Sequence, residues 1–224
     1  SRRLRRGRPN FEPLRVRRPS TEAWCRRPRS KDTLLNFITE QTGVQLSHDK
    51  ITLGFARRAA AYKRPGLLFA NRERLAVIAK QAGGLQLVYA GKAHPGDDQG
   101  KFLIQDIIRL KDDLAAQGIT LVYLPDYDMR IAQLMTSGVD VWLNTPEAPM
   151  EASGTSGMKA ALNGVPSLSV LDGWWIEGCI EGLTGWAVED STGAGDERAL
   201  YDKLQKEIVP MYRDDRSKFI GIMR

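Results

Sequence analysis

The chain has 224 residues, 42% of them hydrophobic, and a formal net charge of +6 at pH 7. This length favours one domain with a sizeable core and excludes the two large domains that many two-substrate transferases need. No segment contains the roughly 20 apolar residues that span a bilayer, and no apolar signal-peptide core follows the N-terminal arginines, so we expect no membrane partner.

The positive charge is concentrated at the N-terminus. Residues 1–31 hold 12 of the 33 basic residues but only two of the 27 acidic ones, so the remainder of the chain is slightly acidic. Repeated Arg and Pro with little apolar periodicity predict a disordered basic arm over residues 1–30. Because such an arm does not give the folded domain a basic face, we expect no nucleic-acid partner; a transit peptide stays an alternative that the prolines disfavour.

The rest of the chain alternates between two kinds of pattern. A lead-in helix is predicted over residues 31–43, and residues 44–50 form a linker. Five β-rich runs follow, and stretches with helical period separate them. The runs are ITLGFA, LQLVYAG, ITLVYLP, VDVWLN and PSLSVLD, and the helical stretches are residues 72–83, 100–118, 129–138 and 155–164. A last helix begins at residue 197, and Pro210 is expected to interrupt it.

This alternation predicts an α/β fold with a doubly wound, Rossmann-like parallel sheet over residues 51–224. Ligands of such sheets bind at the carboxyl ends of the strands. The loops at those ends contain most of the unusual residues, among them the runs RRAAAYKR, GKAHPGDD, PDYDM, EASGTSGMK and DGWW. We therefore expect the functional site at this edge of the sheet.

Glycines and hydroxyl residues precede the helix predicted over residues 155–164. In the run EASGTSGMK they would expose backbone N–H groups at the positive end of the helix, as in phosphate sites. An ordinary helix capped by Ser or Thr is the alternative. Lys159 lies one turn into the helix among small and apolar residues. Desolvation there would favour a Schiff base with an aldehyde cofactor, and a surface lysine is the alternative.

Four cations follow the first predicted strand, in the run Arg57-Arg58-Ala-Ala-Ala-Tyr62-Lys63-Arg64. They should repel one another unless an anion lies among them, and arginine offers the forked donors that phosphate oxygens accept. A solvated basic loop is the alternative. Together with the glycine-rich turn, this cationic loop predicts space for two phosphate groups.

The runs EASGTSGMKAALNG and RRAAAYKR resemble the pyridoxal-phosphate attachment signature and the phosphate-binding loop of the α-glucan (glycogen and starch) phosphorylases. The resemblance extends over about residues 31–224 and is closest to the short bacterial type. It implies the C-terminal half of a GT-B-type glycosyltransferase fold. Members of this family are several times longer, so the resemblance also implies that the N-terminal catalytic half is missing as a partner and that the domain is partial.

The resemblance assigns roles to individual residues. Lys159 would form the Schiff base with pyridoxal 5'-phosphate, and Arg57 with the backbone of Thr155 and Ser156 would hold the cofactor phosphate. Arg58 and Lys63 would hold the substrate phosphate, and Lys159, Arg58 and Lys63 form the implied catalytic set. Glucosyl hydroxyls would contact Glu151, Ser153 and Gly154, and the pocket would be lined by Tyr62 and by Tyr127, which also belongs to the cofactor set.

The implied reaction is reversible phosphorolysis of a terminal α-1,4-linked glucose to glucose 1-phosphate. The partners are an α-1,4-glucan, inorganic phosphate and glucose 1-phosphate. A homo-oligomer of the full-length enzyme stays open. The alternatives are a catalytically inactive partial domain and a nucleotide-sugar GT-B glycosyltransferase. Such transferases commonly carry a second glutamate eight positions after the first, whereas this chain has Lys159 eight positions after Glu151.

The remaining polar and aromatic residues are assigned smaller roles. Asp97 and Asp98 are expected to be loop or helix-cap residues, and the two histidines are too far apart in sequence to predict a metal site. Trp174 and Trp175 would either stack on sugar or pack in the core. Two cysteines without metal or disulfide spacing fit a reducing compartment, so we expect a cytoplasmic location.

Overall fold

The computed structural model describes residues 21–190, 193 and 195–223, with side chains from residue 29 onward. Its centre is a six-stranded sheet in the order β3-β2-β1-β4-β5-β6, with every neighbouring pair parallel. The α/β fold with a doubly wound parallel sheet is thus confirmed. The strands are β1 (Ile51–Ala56), β2 (Leu85–Ala90), β3 (Ile119–Leu124), β4 (Val141–Asn144), β5 (Ser167–Val170) and β6 (Gly185–Val188).

Helices cover both faces of the sheet. The four helical stretches predicted between strands are confirmed, although the second is divided at Leu110. In chain order the helices are α1 (Thr21–Thr42), α2 (Arg72–Gln81), α3 (Asp98–Arg109), α4 (Lys111–Ala115), α5 (Met129–Gly138), α6 (Thr155–Leu162), α7 (Trp175–Gly178), α8 (Asp196–Lys203), α9 (Val209–Asp214) and α10 (Arg216–Ile222).

The sheet separates two hydrophobic cores. Helices α2, α8, α9 and α10 pack on one face against alternate side chains of β1, such as Leu53 and Phe55. Helices α1, α5 and α6 pack on the other face, where Trp142 of β4 is fully buried. Burial on both faces explains why the strands read as continuous apolar runs.

The order of the strands reverses between β1 and β4, which are paired at Leu53 and Val141. The loop that follows β1 connects to one side of the sheet, whereas the loop that follows β4 connects to the other. A crevice between two such loops is where doubly wound sheets bind ligands. The cationic loop and the loop that leads to the glycine-rich turn therefore begin side by side.

The first helix corrects the predicted boundary of the basic arm. Helix α1 begins at Thr21, so residues 21–30 are helical rather than part of a disordered arm; residues 1–20 lie outside the described residues. Its end is as predicted, because Gly43 has a φ of +71° and donates its N–H to the carbonyl of Thr39. Leu34 and Ile38 are fully buried, so the lead-in helix is part of the core.

A buried ion pair holds α1 at the amino-terminal edge of the sheet. Lys31 Nζ lies 2.6 Å from Asp140 Oδ2, just before β4, and 2.9 Å from the carbonyl of Lys50. Asp140 Oδ2 also accepts the N–H of Thr52 at 2.9 Å and the hydroxyl of Tyr212 at 3.2 Å. This edge is opposite to the crevice, so the ion pair stabilises the fold without contributing to the site.

Pro210 does not interrupt the last helical region. Between α8 and α9 the chain forms a π-helical turn over Leu204–Ile208, and Pro210 lies in the first turn of α9. A proline has no N–H to donate to the preceding turn, and the widened turn adapts the helix to that loss. No helix within the described residues is long and apolar enough to cross a membrane.

Candidate functional site

The loops after β1 and β4 meet in a cluster of buried charged side chains. Arg57, Lys63 and Glu151 are each at most 9% exposed. Glu151 Oε2 lies 2.6 Å from Arg57 Nη2 and 2.5 Å from Lys63 Nζ. Arg57 also donates from Nη1 to the amide oxygen of Asn144 at the end of β4. Residues that are 88 positions apart in the chain thus form one site, as the predicted topology requires.

Two cations share one carboxylate in this cluster, so Glu151 leaves part of their charge uncompensated. The Lys63 ammonium also lies 4.5 Å from the centre of the Tyr62 ring, which offers its negative face to the cation. Buried charges of this kind are costly unless they are paired, and the excess of cations favours an additional anion. The two loops are further tied by the N–H of Glu147, which donates to the carbonyl of Tyr62 at 2.7 Å.

The other two cations of the loop behave differently from the prediction. Arg64 forms an ion pair with Asp196 at 2.5 Å and donates to the carbonyls of Thr145 at 3.0 Å and Pro146 at 2.6 Å. These contacts hold Arg64 at a φ of +44°, a conformation that non-glycine residues rarely adopt. Arg58 is exposed and forms no ion pair with the part of the chain that the structure describes. The four cations therefore do not form one repelling group, because carboxylates of the chain pair with three of them.

The glycine-rich turn begins helix α6 without a side-chain cap. Gly154 occupies the N-cap position with a φ of +83°, and no side chain accepts a hydrogen bond there. The alternative of a helix capped by Ser or Thr is therefore wrong. No carbonyl or side chain of the described residues accepts the N–H groups of Thr155 and Ser156. These donors are free to bind an anion at the positive end of the helix.

Lys159 is on the exposed side of α6. Its side chain lines a groove of about 440 Å³ that runs between α5 and α6. The described residues do not enclose it, so the expected desolvated lysine is not observed and the surface-lysine alternative describes its position here. The other groove residues are Met129, Arg130, Ala132, Gln133, Thr136 and Asn163.

The remaining predicted residues lie around the same crevice. Tyr127, after β3, is half-buried, and burial raises the pKa of its hydroxyl while the nearby positive charge of Arg57 acts in the opposite direction. Ser153 is exposed, and its carbonyl accepts the N–H of Trp174 at 2.8 Å. Tyr62 is half-buried beside Lys63. The crevice therefore combines cations, an aromatic hydroxyl and free backbone donors.

Two predicted cap and core roles are confirmed. Asp97 caps α3 by accepting the N–H of Gly100 at 2.9 Å, and the exposed Asp98 pairs with Lys101 at 2.8 Å. Trp175 is 1% exposed and donates from its indole to the carbonyl of Trp186 at 3.3 Å, so it packs in the core. Among the residues described, no group of three or more His, Cys, Asp or Glu side chains is placed to hold a metal ion.

Two polar residues that support the site were not predicted. Asn144 is 5% exposed and also donates to Ser169 Oγ at 3.0 Å, which fixes the orientation of its amide toward Arg57. Asp172 is 4% exposed, and its Oδ2 accepts the backbone N–H of Glu151 at 2.7 Å. Asn144 is the last residue of β4 and Asp172 lies two positions after the end of β5, and a position near a strand end was the one sequence signal for them.

Comparisons with known proteins agree with the resemblance. Residues 19–182 match the family model described as carbohydrate phosphorylase. Similar proteins are the glycogen phosphorylase of Aquifex aeolicus (41% identical), the maltodextrin phosphorylase of Thermococcus litoralis (35%) and the glycogen phosphorylase of Mycobacterium tuberculosis (44%). The matches cover 92%, 92% and 90% of this chain but 34%, 27% and 24% of the relatives. The chain thus spans a quarter to a third of the length of these proteins.

Proposed function

Because the chain belongs to the carbohydrate phosphorylase family, we propose that it is the pyridoxal-phosphate-binding part of an α-glucan phosphorylase. The reaction is the reversible phosphorolysis of a terminal α-1,4-linked glucose by inorganic phosphate, and it yields glucose 1-phosphate. Relatives named glycogen phosphorylase and maltodextrin phosphorylase support this class of substrate. We place the reaction in the cytoplasm.

The chain has the chemical groups that pyridoxal phosphate requires, namely donors for its phosphate and a primary amine for its aldehyde. The free N–H groups of Thr155 and Ser156 and the guanidinium of Arg57 are suited to hold its phosphate, and Tyr127 lies near Arg57 to line the same space. Lys159 supplies a primary amine one turn further along α6 for covalent attachment to the aldehyde. When bound, pyridoxal phosphate would supply an acid-base phosphate group beside the substrate phosphate.

The substrate phosphate is assigned to Arg58 and Lys63. Arg58 is exposed beside the buried Arg57 and forms no ion pair with the described residues, so its guanidinium is available to an incoming anion. Lys63 is already oriented by Glu151 and by the ring of Tyr62. Together they provide two cations that would position phosphate and offset its charge during the reaction.

The glucosyl group is assigned to the residues that precede α6. The Glu151 carboxylate, Ser153 and the N–H of Gly154 would receive its hydroxyl groups, with Tyr62 at the side of the pocket. The Glu151 carboxylate contacts Arg57 and Lys63 in this structure. Its remaining lone pairs are acceptors for hydroxyl groups, since a carboxylate accepts about four hydrogen bonds.

One observation supports the proposal more than the others. Arg57 and Lys63 are buried cations at the switch point, and the glycine-initiated helix that carries Lys159 begins at the end of the same crevice. Phosphate donors and an amine thus come from the segments that follow two neighbouring strands, β1 and β4. Nucleotide-sugar transferases commonly have a glutamate for the ribose at the position of Lys159, and this chain has a lysine there.

We also propose that the chain has the fold of the C-terminal half of a GT-B-type glycosyltransferase. The sheet order and the family suit the C-terminal half of a GT-B-type glycosyltransferase, with the domain over residues 51–224 and α1 leading into it. In the longer relatives, a second lobe facing the carboxyl edge of the sheet would complete the cleft. Positioning of reactants by such a closed cleft is worth on the order of 7–11 kcal/mol of barrier.

The test is to locate the attachment site. The chain is incubated with pyridoxal phosphate, reduced with borohydride, and the labelled peptides are mapped by mass spectrometry. We expect one predominant label, on Lys159, which Lys159→Ala removes and which substitution of the exposed Lys111→Ala leaves unchanged. Label spread evenly over surface lysines in a folded sample would refute the proposed cofactor site.

A further inference from the structure

The segment Asp172–Trp174, which follows β5, packs against the loop that follows β4 and forms hydrogen bonds with it. Asp172, Gly173 and Trp174 all contact the part of that loop between Glu151 and Gly154, and none of them has a proposed role in binding cofactor or substrate. We propose that Asp172–Trp174 is a positioning element that fixes Glu151 and the glycine-rich turn for binding of the cofactor phosphate. The inference rests on the proposed function, because it assigns the turn the task of holding that phosphate.

The Asp172 carboxylate holds the first residue of the glycine-rich turn, Glu151. Its Oδ2 accepts the N–H of Glu151 at 2.7 Å, and its Oδ1 accepts the N–H of Gly173 at 2.9 Å. Asp172 is 4% exposed and forms no ion pair with any described residue. A buried carboxylate that is balanced by backbone N–H groups instead of a cation fixes the direction of those groups, because they are its main compensation for lost hydration.

Gly173 provides space for the carbonyl groups of the loop. Its φ is +57°, and a Cβ atom at this position would lie 2.6 Å from the carbonyl oxygen of Ser153 and 3.0 Å from that of Glu151. Both contacts are with backbone, which cannot rotate away as a flexible side chain can. Only glycine therefore lets the two loops approach this closely.

Trp174 holds the end of the loop and the first turn of α6. Its N–H donates to the carbonyl of Ser153 at 2.8 Å. Its indole packs against Gly154 and Gly157, where added Cβ atoms would lie 3.3 Å from Cδ1 and 2.9 Å from Nε1. The free N–H groups of the turn belong to the residues between these two glycines. Trp174 thus fixes the backbone on both sides of the proposed phosphate donors.

These contacts predict that changes in Asp172–Trp174 weaken the binding of the cofactor phosphate. They should have a smaller effect on the reaction of the aldehyde with the Lys159 amine. The measured quantity is the ratio of the dissociation constants of pyridoxal and pyridoxal phosphate, compared between variants. The internal hemiacetal of free pyridoxal weakens its binding by the same factor in every variant, so a change in the ratio reports the phosphate contacts. Two or more charge-assisted hydrogen bonds to phosphate correspond to a preference of about 100-fold in the wild-type chain. A role of the segment in overall folding alone would lower both affinities without changing their ratio.

The test compares Gly173→Ala with Gly182→Ala. Gly182 also has a positive φ, +69°, but nothing lies within 4 Å of its added Cβ, so both variants carry the backbone strain and only one has the collision. We expect the preference to fall about tenfold or more in Gly173→Ala and to persist in Gly182→Ala. Binding is measured by equilibrium titration on samples whose folded state is verified by circular dichroism.

A second variant, Asp172→Asn, covers the case in which Gly173→Ala does not fold. Asparagine offers one acceptor atom in place of two, so the hydrogen bond to Glu151 or to Gly173 is lost and we expect the preference to fall severalfold. If the wild-type chain prefers pyridoxal phosphate and these folded variants retain that preference, the positioning role is refuted and the proposed function stands. If the wild-type chain has no preference, both are refuted.

Discussion

Replacement of Glu151 by glutamine would remove the carboxylate shared by Arg57 and Lys63 and keep its size. Both cations would stay buried, and among the described residues only Arg57 would keep another side-chain hydrogen bond, to the amide oxygen of Asn144. Removal of one partner from a buried ion pair costs about 3–5 kcal/mol. Because domains are stable by about 5–15 kcal/mol, we expect Glu151→Gln to lose about 3 kcal/mol and to remain folded.

The same variant should respond more strongly to phosphate than the wild-type chain. An anion that binds the two released cations at about 100 times its dissociation constant restores about 2.7 kcal/mol. In the wild-type chain the anion competes with Glu151 for the same cations, so its effect is smaller. The assay is urea unfolding at pH 7, followed by circular dichroism, in potassium phosphate and in potassium chloride of equal ionic strength.

The matched control is Glu177→Gln. It removes the same charge from an exposed carboxylate that forms no ion pair with the described residues, and surface changes of this kind alter stability by at most about 0.5 kcal/mol. The reasoning would be refuted if Glu151→Gln were as stable as this control. It would also be refuted if phosphate stabilised the variant no more than the wild-type chain.

Three further changes test other parts of the structure. Lys31→Met leaves Asp140 without its cation and should cost about 3 kcal/mol, seen in a thermal scan as a fall in Tm of about 6–12 °C; an unchanged Tm would contradict the buried pair. Gly54→Ala places a Cβ 2.7 Å from Val139 Cγ1 and should cost about 1–3 kcal/mol in urea unfolding, but less in a Val139→Ala background. Burial raises the pKa of Cys179 from 9.0 to about 11, so the fraction of thiolate at pH 8 is about 100-fold lower in the folded chain. A thiolate of higher pKa is also a stronger nucleophile, which offsets part of this loss. Alkylation of Cys179, mapped to its peptide, should therefore be about tenfold slower in the folded chain than in urea. Equal rates would contradict its burial.

The sequence was sufficient for most of the sheet. Strands β1 to β5 are apolar runs between helical stretches, and this pattern arises because both faces are buried. Strand β6 lacks the pattern, since it has four residues and begins with Gly185, whose added Cβ would lie 2.3 Å from the carbonyl oxygen of Ser167. A glycine that allows this approach has the appearance of a turn residue in the sequence. Pro210 misled for a related reason, because the widened turn that adapts to it has no sequence signal.

Residue types in the candidate site were predictable, but their pairing was not. The topology brought Arg57, Lys63 and Glu151 together, as expected for loops at adjacent strand ends. The pairing of Glu151 with Lys63 depends on how two side chains 88 positions apart are oriented in the fold. The periodicity of a sequence contains no information on such orientations. Asp172 accepts hydrogen bonds from the backbone N–H groups of Glu151 and Gly173. Because every residue except proline has such an N–H, the residue types in the sequence give no sign of this contact. The exposure of Lys159 likewise depends on which side of α6 meets the sheet.

Because Trp174 packs on the glycine-rich turn, its fluorescence should respond to a ligand that binds this turn. Trp142, Trp175 and Trp186 are at most 1% exposed, so among the tryptophans with described side chains only Trp174 is partly open to solvent. Its emission should shift when an anion binds the backbone between Gly154 and Gly157, while the three enclosed indoles give a constant background and a Trp24→Phe background removes the fifth tryptophan of the sequence. A fluorescence titration of the unlabelled chain could therefore follow occupancy of the crevice in real time, without turnover and without any added reporter.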